Sequence, residues 1–255
     1  MTLEIYQFPA RSDNYGVLIH DSEAGVTASI DAPTAAEVEA ALSAKGWALT
    51  HIFTTHHHND HTEGNPALKA KTGCEIIGPR GEAAKVADID KAVGEGDTFK
   101  FGSFDVEVLE TPGHTLGHIS YFIPQAKVAF VGDTMFAMGC GRVFEGSHEM
   151  MWNSLSKLRQ LPADTVVYAG HEYTKSNAEF ALTIEPDNAE LKKRAAEVYA
   201  LRAEGKPTLP TTIGKELATN PFLRASEPEL KQALKMPKAE DWAVFAEVRT
   251  RKDNA

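Results

Sequence analysis

THHHNDH, residues 55–61, places four of the chain's ten histidines and an aspartate within seven positions. The run before it, ALTHIFTT at 48–55, is apolar, β-branched and aromatic, and predicts a strand. If the chain stays extended past that strand, the period of two puts His56 and His58 on one side and His57 on the other. Asp60 and His61 lie further round the loop and can aim at a neighbouring point. One loop thus offers two ligands to one metal ion and two to a second, on the rigid end of a strand. A lone H-x-H is weak evidence, because polar loops often expose histidines. Four ligand-type residues at fixed offsets point to a metal.

Further ligand types recur just past other strand-like runs. TPGHTLGH at 111–118 follows FDVEVLE and supplies His114. FVGDT at 130–134 supplies Asp133, and VYAGHEY at 167–173 supplies His171. Taken singly these read as a loop histidine, a turn aspartate and a capping histidine. Together they predict one edge of the sheet structure bearing a site. Imidazole and carboxylate without thiolate suit zinc, iron or manganese. Asp133 is the natural bridge, since a carboxylate offers oxygen to two ions. His118 reads as a supporting or structural residue, and His20, His51 and His148 have no motif of their own.

Composition bounds the partners. The chain has 255 residues, 42% hydrophobic and 24% charged, with a net charge of −10. That charge argues against a broad nucleic-acid surface, and an anionic substrate would need a local basic patch. Cys74 and Cys140 share no C-x-x-C spacing and read as reduced thiols. No apolar run reaches membrane-spanning length, and MTLEIYQFPARSDNYG lacks the pattern of a signal peptide, so a cytoplasmic monomer is expected.

Short strands are predicted at 3–8, 14–20, 26–31, 75–78, 104–110, 119–123, 127–133 and 164–170. Helices are predicted at 34–46, from about 65, and at 148–161. Beyond His171 the segments 174–186 and 187–206 read as helices, the second entering behind Pro186 with Asp187 or Asn188 as N-cap. The rest mixes short helices with proline breaks, and no strand is expected there. The division is a mixed α/β domain over 1–171 and a helical domain over 172–255.

Taken as a set, THHHNDH, TPGHTLGHISY, FVGDTMF and YAGHEYT resemble the metallo-β-lactamase superfamily. CGRVFEG, NPFLR and VRTRKD make the chain similar to its glyoxalase II (hydroxyacylglutathione hydrolase) branch, from DNY at 13–15 almost to the C-terminus. The resemblance implies a four-layer αββα sandwich with a C-terminal α-helical domain. It implies two divalent metal ions, zinc with iron or manganese as alternatives. His56, His58 and His114 would hold one, Asp60, His61 and His171 the other, with Asp133 bridging. The implied substrate is S-lactoylglutathione, cleaved to D-lactate and glutathione. Arg142 and Phe144, Tyr173, and Arg249 with Lys252 match the family's glutathione-binding positions. Some relatives carry Lys and Tyr where Arg142 and Phe144 stand, so this chain lacks one hydroxyl there.

In such a site two ions bridging a water lower its pKa from ~15.7 toward about 7, giving a hydroxide nucleophile. Asp60 would also orient that hydroxide, and no G-x-S-x-G elbow competes for the role. The alternatives are a secreted β-lactamase, a one-metal sulfur dioxygenase, an RNA-processing nuclease of the same superfamily and a non-catalytic metal-binding domain. The complete ligand set, the acidic balance and the C-terminal helical region disfavour them.

Overall fold

Alternating apolar residues near the N-terminus fold into a hairpin of β1 (Leu3–Ala10) and β2 (Asn14–Asp21), to which β3 (Val26–Ile30) adds antiparallel. The next strands, β4 (His51–Phe53), β5 (Glu75–Pro79) and β6 (Lys91–Val93), continue the sheet in parallel. Parallel neighbours need crossovers. Helix α1 (Ala35–Lys45) joins β3 to β4, while the single turn α2 (Asn59–Thr62) and helix α3 (Asn65–Thr72) lie between β4 and β5. Thr34 caps α1 by accepting from the Glu37 amide, and its hydroxyl donates to the Glu37 carboxylate at 2.7 Å. The N-cap side chain is thus tied both to the backbone and to the side chain of the helix's first turn.

This computed structural model describes residues 2–255, which fall into two compact units. The first runs to Glu110 and adds Thr115–Gly132; the second comprises Thr111–His114 and Asp133–Ala255. In the first unit, Leu18, Ile52 and Ile76 of the six-stranded sheet pack with Val38, Leu42 and Leu68 of α1 and α3. An antiparallel meander of β7 (Thr98–Phe101), β8 (Phe104–Glu110), β9 (Ile119–Ile123) and β10 (Val128–Phe130) packs against the sheet at Phe53. The Phe53 ring meets Phe99, Phe101 and Tyr121 with centroids 5.1–5.5 Å apart. The buried Tyr121 hydroxyl donates to the carbonyl of Thr54 at 2.7 Å, and burial pushes its pKa far up. Two sheets are thereby tied beside the strand that delivers the histidine cluster.

The second unit begins with the hairpin β11 (Met135–Phe136) and β12 (Gly139–Cys140) and helix α4 (His148–Leu158). Next come β13 (Val166–Tyr168), α5 (Thr174–Ile184), α6 (Ala189–Ala203), β14 (Thr211–Thr212), α7 (Ile213–Thr219), α8 (Pro228–Ala233) and α9 (Asp241–Asp253). Asn188 caps α6, accepting from the Leu191 amide at 3.1 Å. Beyond residue 206 two features differ from the sequence reading. The two-residue β14 pairs with Val166 and Val167 in a region where no strand is expected, because so short a strand carries no periodicity. Residues 241–253 form one unbroken helix that buries Val244, Phe245, Val248 and Arg249. Among the described residues no helix is long and apolar enough to cross a membrane.

Helices α6 and α7 grip the β11–β12 hairpin through buried polar groups. Arg194 pairs with Glu216, and its guanidinium also donates to Thr211 and Thr219. Glu216 accepts from the Met138 amide at 2.8 Å, and Asn220 donates to the carbonyls of Phe136 and Gly139. Breaking a buried ion pair at one partner leaves the other charge uncompensated. Arg194→Ala is therefore expected to lower stability by about 3–5 kcal/mol in urea unfolding. A loss under roughly 1 kcal/mol would show that the hairpin does not depend on the pair.

Candidate metal centre

Each unit carries a set of ligand-type residues. In the first, the chain leaves β4 without regular structure, is extended at His58 and then turns into α2, so Asp60 and His61 project from a helical turn and not from an open loop. His56 Nε2 lies 3.1 Å from His58 Nδ1, and Asp60 Oδ2 lies 3.5 Å from His61 Nε2. Asn14 Nδ2 donates to Asp60 Oδ2 at 3.0 Å. His57 turns elsewhere, its Nδ1 2.9 Å from Glu82 Oε2. The His118 ring is buried and stacks on His56, centroids 4.8 Å apart.

The organiser of this set is a residue that sequence reading passes over. Asp31 ends the β3 run with φ of 55°, in the left-handed region that aspartate tolerates better than most residues. Its Oδ1 accepts the Thr55 amide at 2.7 Å, and its Oδ2 accepts the Thr55 hydroxyl at 2.9 Å. The same Oδ2 accepts from His61 Nδ1 at 2.8 Å. With its hydrogen committed to Asp31, the Thr55 oxygen accepts from His56 Nδ1 at 3.0 Å. Both imidazoles are thus held with Nδ1 protonated and the Nε2 lone pair presented, as metal-binding histidines require. The available signal was positional: Asp31 is one more aspartate at a strand end.

In the second unit His114 and His171 converge on one carboxylate. His114 Nε2 lies 3.5 Å and His171 Nε2 3.3 Å from Asp133 Oδ2. His114 Nδ1 donates to the carbonyl of Arg142 at 2.9 Å, which again leaves Nε2 as the lone pair. Gly141 permits this approach: a Cβ there would sit 1.9 Å from the Asp133 carbonyl oxygen, so no larger residue fits without moving the loop.

All five residues matched to substrate binding lie in the second unit. Arg142 and Phe144 are exposed, Phe144 at 62% with its ring 5.2 Å from that of His114. Tyr173 stacks on His171 at 4.8 Å, nearly parallel. Lys252 donates to the Ser176 carbonyl and lies over the Phe180 ring. Burial first, then repulsion from Arg249 and Arg142, holds its pKa below the usual lysine value. Arg249 differs from the other four. Only 4% exposed, it donates to the Cys140 carbonyl at 3.1 Å, pairs with Asp253 at 2.7 Å and lies over Phe222. The neighbouring Cys140 thiol is pushed up by burial to about 11, which excludes it as a ready thiolate ligand.

The donor sets fit a metal. An imidazole lone pair facing a carboxylate oxygen, as at His61–Asp60 and His114–Asp133, sets two acceptors together unless a cation serves both. His171 Nε2 faces the same Asp133 oxygen. Two ligands bound at 2.0–2.1 Å to a tetrahedral ion stand about 3.4 Å apart. The observed spacings of 3.1–3.5 Å within each set bracket that value. Nitrogen and oxygen donors without sulfur match a borderline divalent ion.

Comparison with known proteins places this geometry in a family. Residues 23–171 match the metallo-beta-lactamase superfamily model, and residues 172–255 match hydroxyacylglutathione hydrolase C-terminus. A hydroxyacylglutathione hydrolase of Brucella anthropi is 60% identical over 251 residues, covering 98% of this chain and 96% of the relative. Among solved structures, ETHE1 from Myxococcus xanthus aligns with a TM-score of 0.67 at 26% identity, covering 99% of this chain and 98% of that one. The BLEG-1 B3 metallo-beta-lactamase aligns with a TM-score of 0.67 at 21% identity, covering 86% and 99%, a likeness of fold alone. The metallo-β-lactamase fold with a helical C-terminal domain is thus the fold of this chain. The matches to both family models and the near full-length identity make the chain a member of the hydroxyacylglutathione hydrolases, the glyoxalase II enzymes of the metallo-β-lactamase superfamily.

Proposed function

We propose that the chain hydrolyses S-lactoylglutathione and related 2-hydroxyacylglutathiones to the hydroxy acid and glutathione, using two divalent ions. His56, His58 and His114 would hold one ion and Asp60, His61 and His171 the other, with Asp133 shared. The observation that carries the reading is at Asp133, where one carboxylate oxygen has two imidazole nitrogens within 3.5 Å. Bound there, the ions would supply Lewis acidity, activating water near neutral pH and polarising the thioester carbonyl.

The protein's own groups do the rest. Asp60, its Oδ2 held by Asn14, is in this reading both ligand and the acceptor that aims the attacking water. Asp31 and the Arg142 carbonyl hold the imidazoles of His56, His61 and His114 in the required tautomer, so little reorganisation is needed on binding. The glutathione thiolate leaves readily, since its parent thiol is already acidic. Arg142 and Lys252 supply cations for the carboxylates of glutathione against an acidic protein, and Tyr173 and Phe144 supply aromatic surface. Arg249, turned inward on Cys140 and Asp253, contributes by supporting this region. We further propose that the protein works as a cytoplasmic monomer on a small molecule, with no nucleic acid or membrane partner. A reducing compartment agrees with its two buried free cysteines.

Three outcomes test this. Zinc-loaded protein is expected to release thiol from S-lactoylglutathione, to lose turnover on chelation and to recover it on adding zinc back. Turnover of a different thioester, a lactone or a persulfide in its place would refute the substrate. Asp133→Ala is expected to lose both ions on metal analysis, and two ions per chain in that variant would remove Asp133 as the bridge. The third concerns pH. Because Lys252 is depressed below an ordinary lysine, it loses its charge earlier as pH rises, and affinity for an anionic substrate falls with it. KM should therefore climb in the alkaline range in wild type, while Lys252→Ala starts from a higher KM and lacks that limb; identical profiles would take Lys252 out of the substrate site.

A further inference from the structure

The turn at Arg80–Glu82 lies outside the ligand set proposed above, yet it buries a carboxylate: Glu82 is 2% exposed. Removing a carboxylate from water is costly unless polar partners replace the solvent. Here each oxygen has a backbone partner. Oε2 accepts the His57 amide at 2.8 Å, and Oε1 accepts the Gly117 amide at 2.9 Å. His57 Nδ1 stands 2.9 Å from the first of these oxygens. The two amides belong to different loops. One lies between His56 and His58, and the other precedes His118, whose ring stacks on His56. Contact between the turn and the second loop is close. A Cβ on Gly117 would lie 2.5 Å from Glu82 Cγ and 2.8 Å from the Gly81 carbonyl carbon, so glycine is required for this approach.

We infer that Glu82 is a positioning residue for the metal-binding loop. By holding the His57 amide, with the imidazole alongside its carboxylate, it turns that side chain away from its neighbours and keeps His56 and His58 converging. Through Gly117 it fixes the distance from that loop to the His118 ring, which backs His56. The inference rests on the metal reading of residues 56–61, and it assigns a function to His57 as the tether by which Glu82 acts.

Glu82→Gln tests it, because glutamine keeps the length but has one acceptor oxygen, so one loop amide loses its partner. Zinc affinity, measured by competition with a chromophoric chelator, is expected to fall about 10- to 100-fold. At saturating zinc, kcat for the thioester should fall while KM stays within about twofold, since no substrate contact is removed. The metal-free variant should melt close to the metal-free wild type. A glutamine variant that binds zinc as tightly as wild type overturns the inference. So does one whose metal-free form melts far lower, which would make Glu82 a general core residue. Wild type that binds no zinc would instead sink the metal reading, so the two failures are distinguishable.

Discussion

The carboxylate of Asp31 is the constraint on which the first ligand set depends. It accepts from the Thr55 amide, the Thr55 hydroxyl and His61 Nδ1, and through that hydroxyl it sets His56. One buried anion thereby decides which nitrogen of two imidazoles carries hydrogen. The lone pairs are held by bonds that do not involve an ion, which would lower the reorganisation that binding requires. The second unit reaches the same end by other means, with a backbone carbonyl at Arg142 in the orienting role for His114. A carbonyl cannot be deleted by substitution, so this orientation is set by the path of the 140–142 segment, itself held by Arg249 and by the absence of a side chain at Gly141.

Side-chain periodicity made much of the first unit legible. Offsets of two within THHHNDH put His56 beside His58 and send His57 to the other side, because extended backbone allows little else. Helix α1 was legible from apolar residues at helical spacing and from its terminal Gly46, both local signals. Candidate metal ligands at strand ends were legible by residue type, and the four motifs together carried the family. What stayed hidden depends on long-range contacts. Asp31 is 24 residues from Thr55 and 30 from His61, and no spacing rule connects them. Glu82 lies in an unremarkable turn, and its importance follows from two amides that the fold brings to it. Asp60 and His61 read as loop residues because one helical turn is too short to show a 3.6-residue repeat.

The residues matched to substrate binding show how a matched motif and its local geometry can divide labour. Arg142, Phe144, Tyr173 and Lys252 present charge or ring surface, whereas Arg249 spends its donors on Cys140 and Asp253. A guanidinium with that many fixed donors is well suited to organising backbone, and the bond to the Cys140 carbonyl acts one residue from Gly141 and two from Arg142. Loss of Arg249 would then be felt through the placement of Arg142 and His114 as well as through any direct loss of charge.

Cys140 carries a consequence of its own. A hydroxyacylglutathione hydrolase releases a thiol at every turnover. Any accessible protein thiolate nearby would be open to exchange, ending as a mixed disulfide. With its pKa pushed to about 11, Cys140 is ionised at neutral pH in only on the order of one molecule in ten thousand. Burial removes the approach path as well. The arginine that uses this residue's carbonyl as an anchor therefore rests on a thiol poorly disposed to exchange.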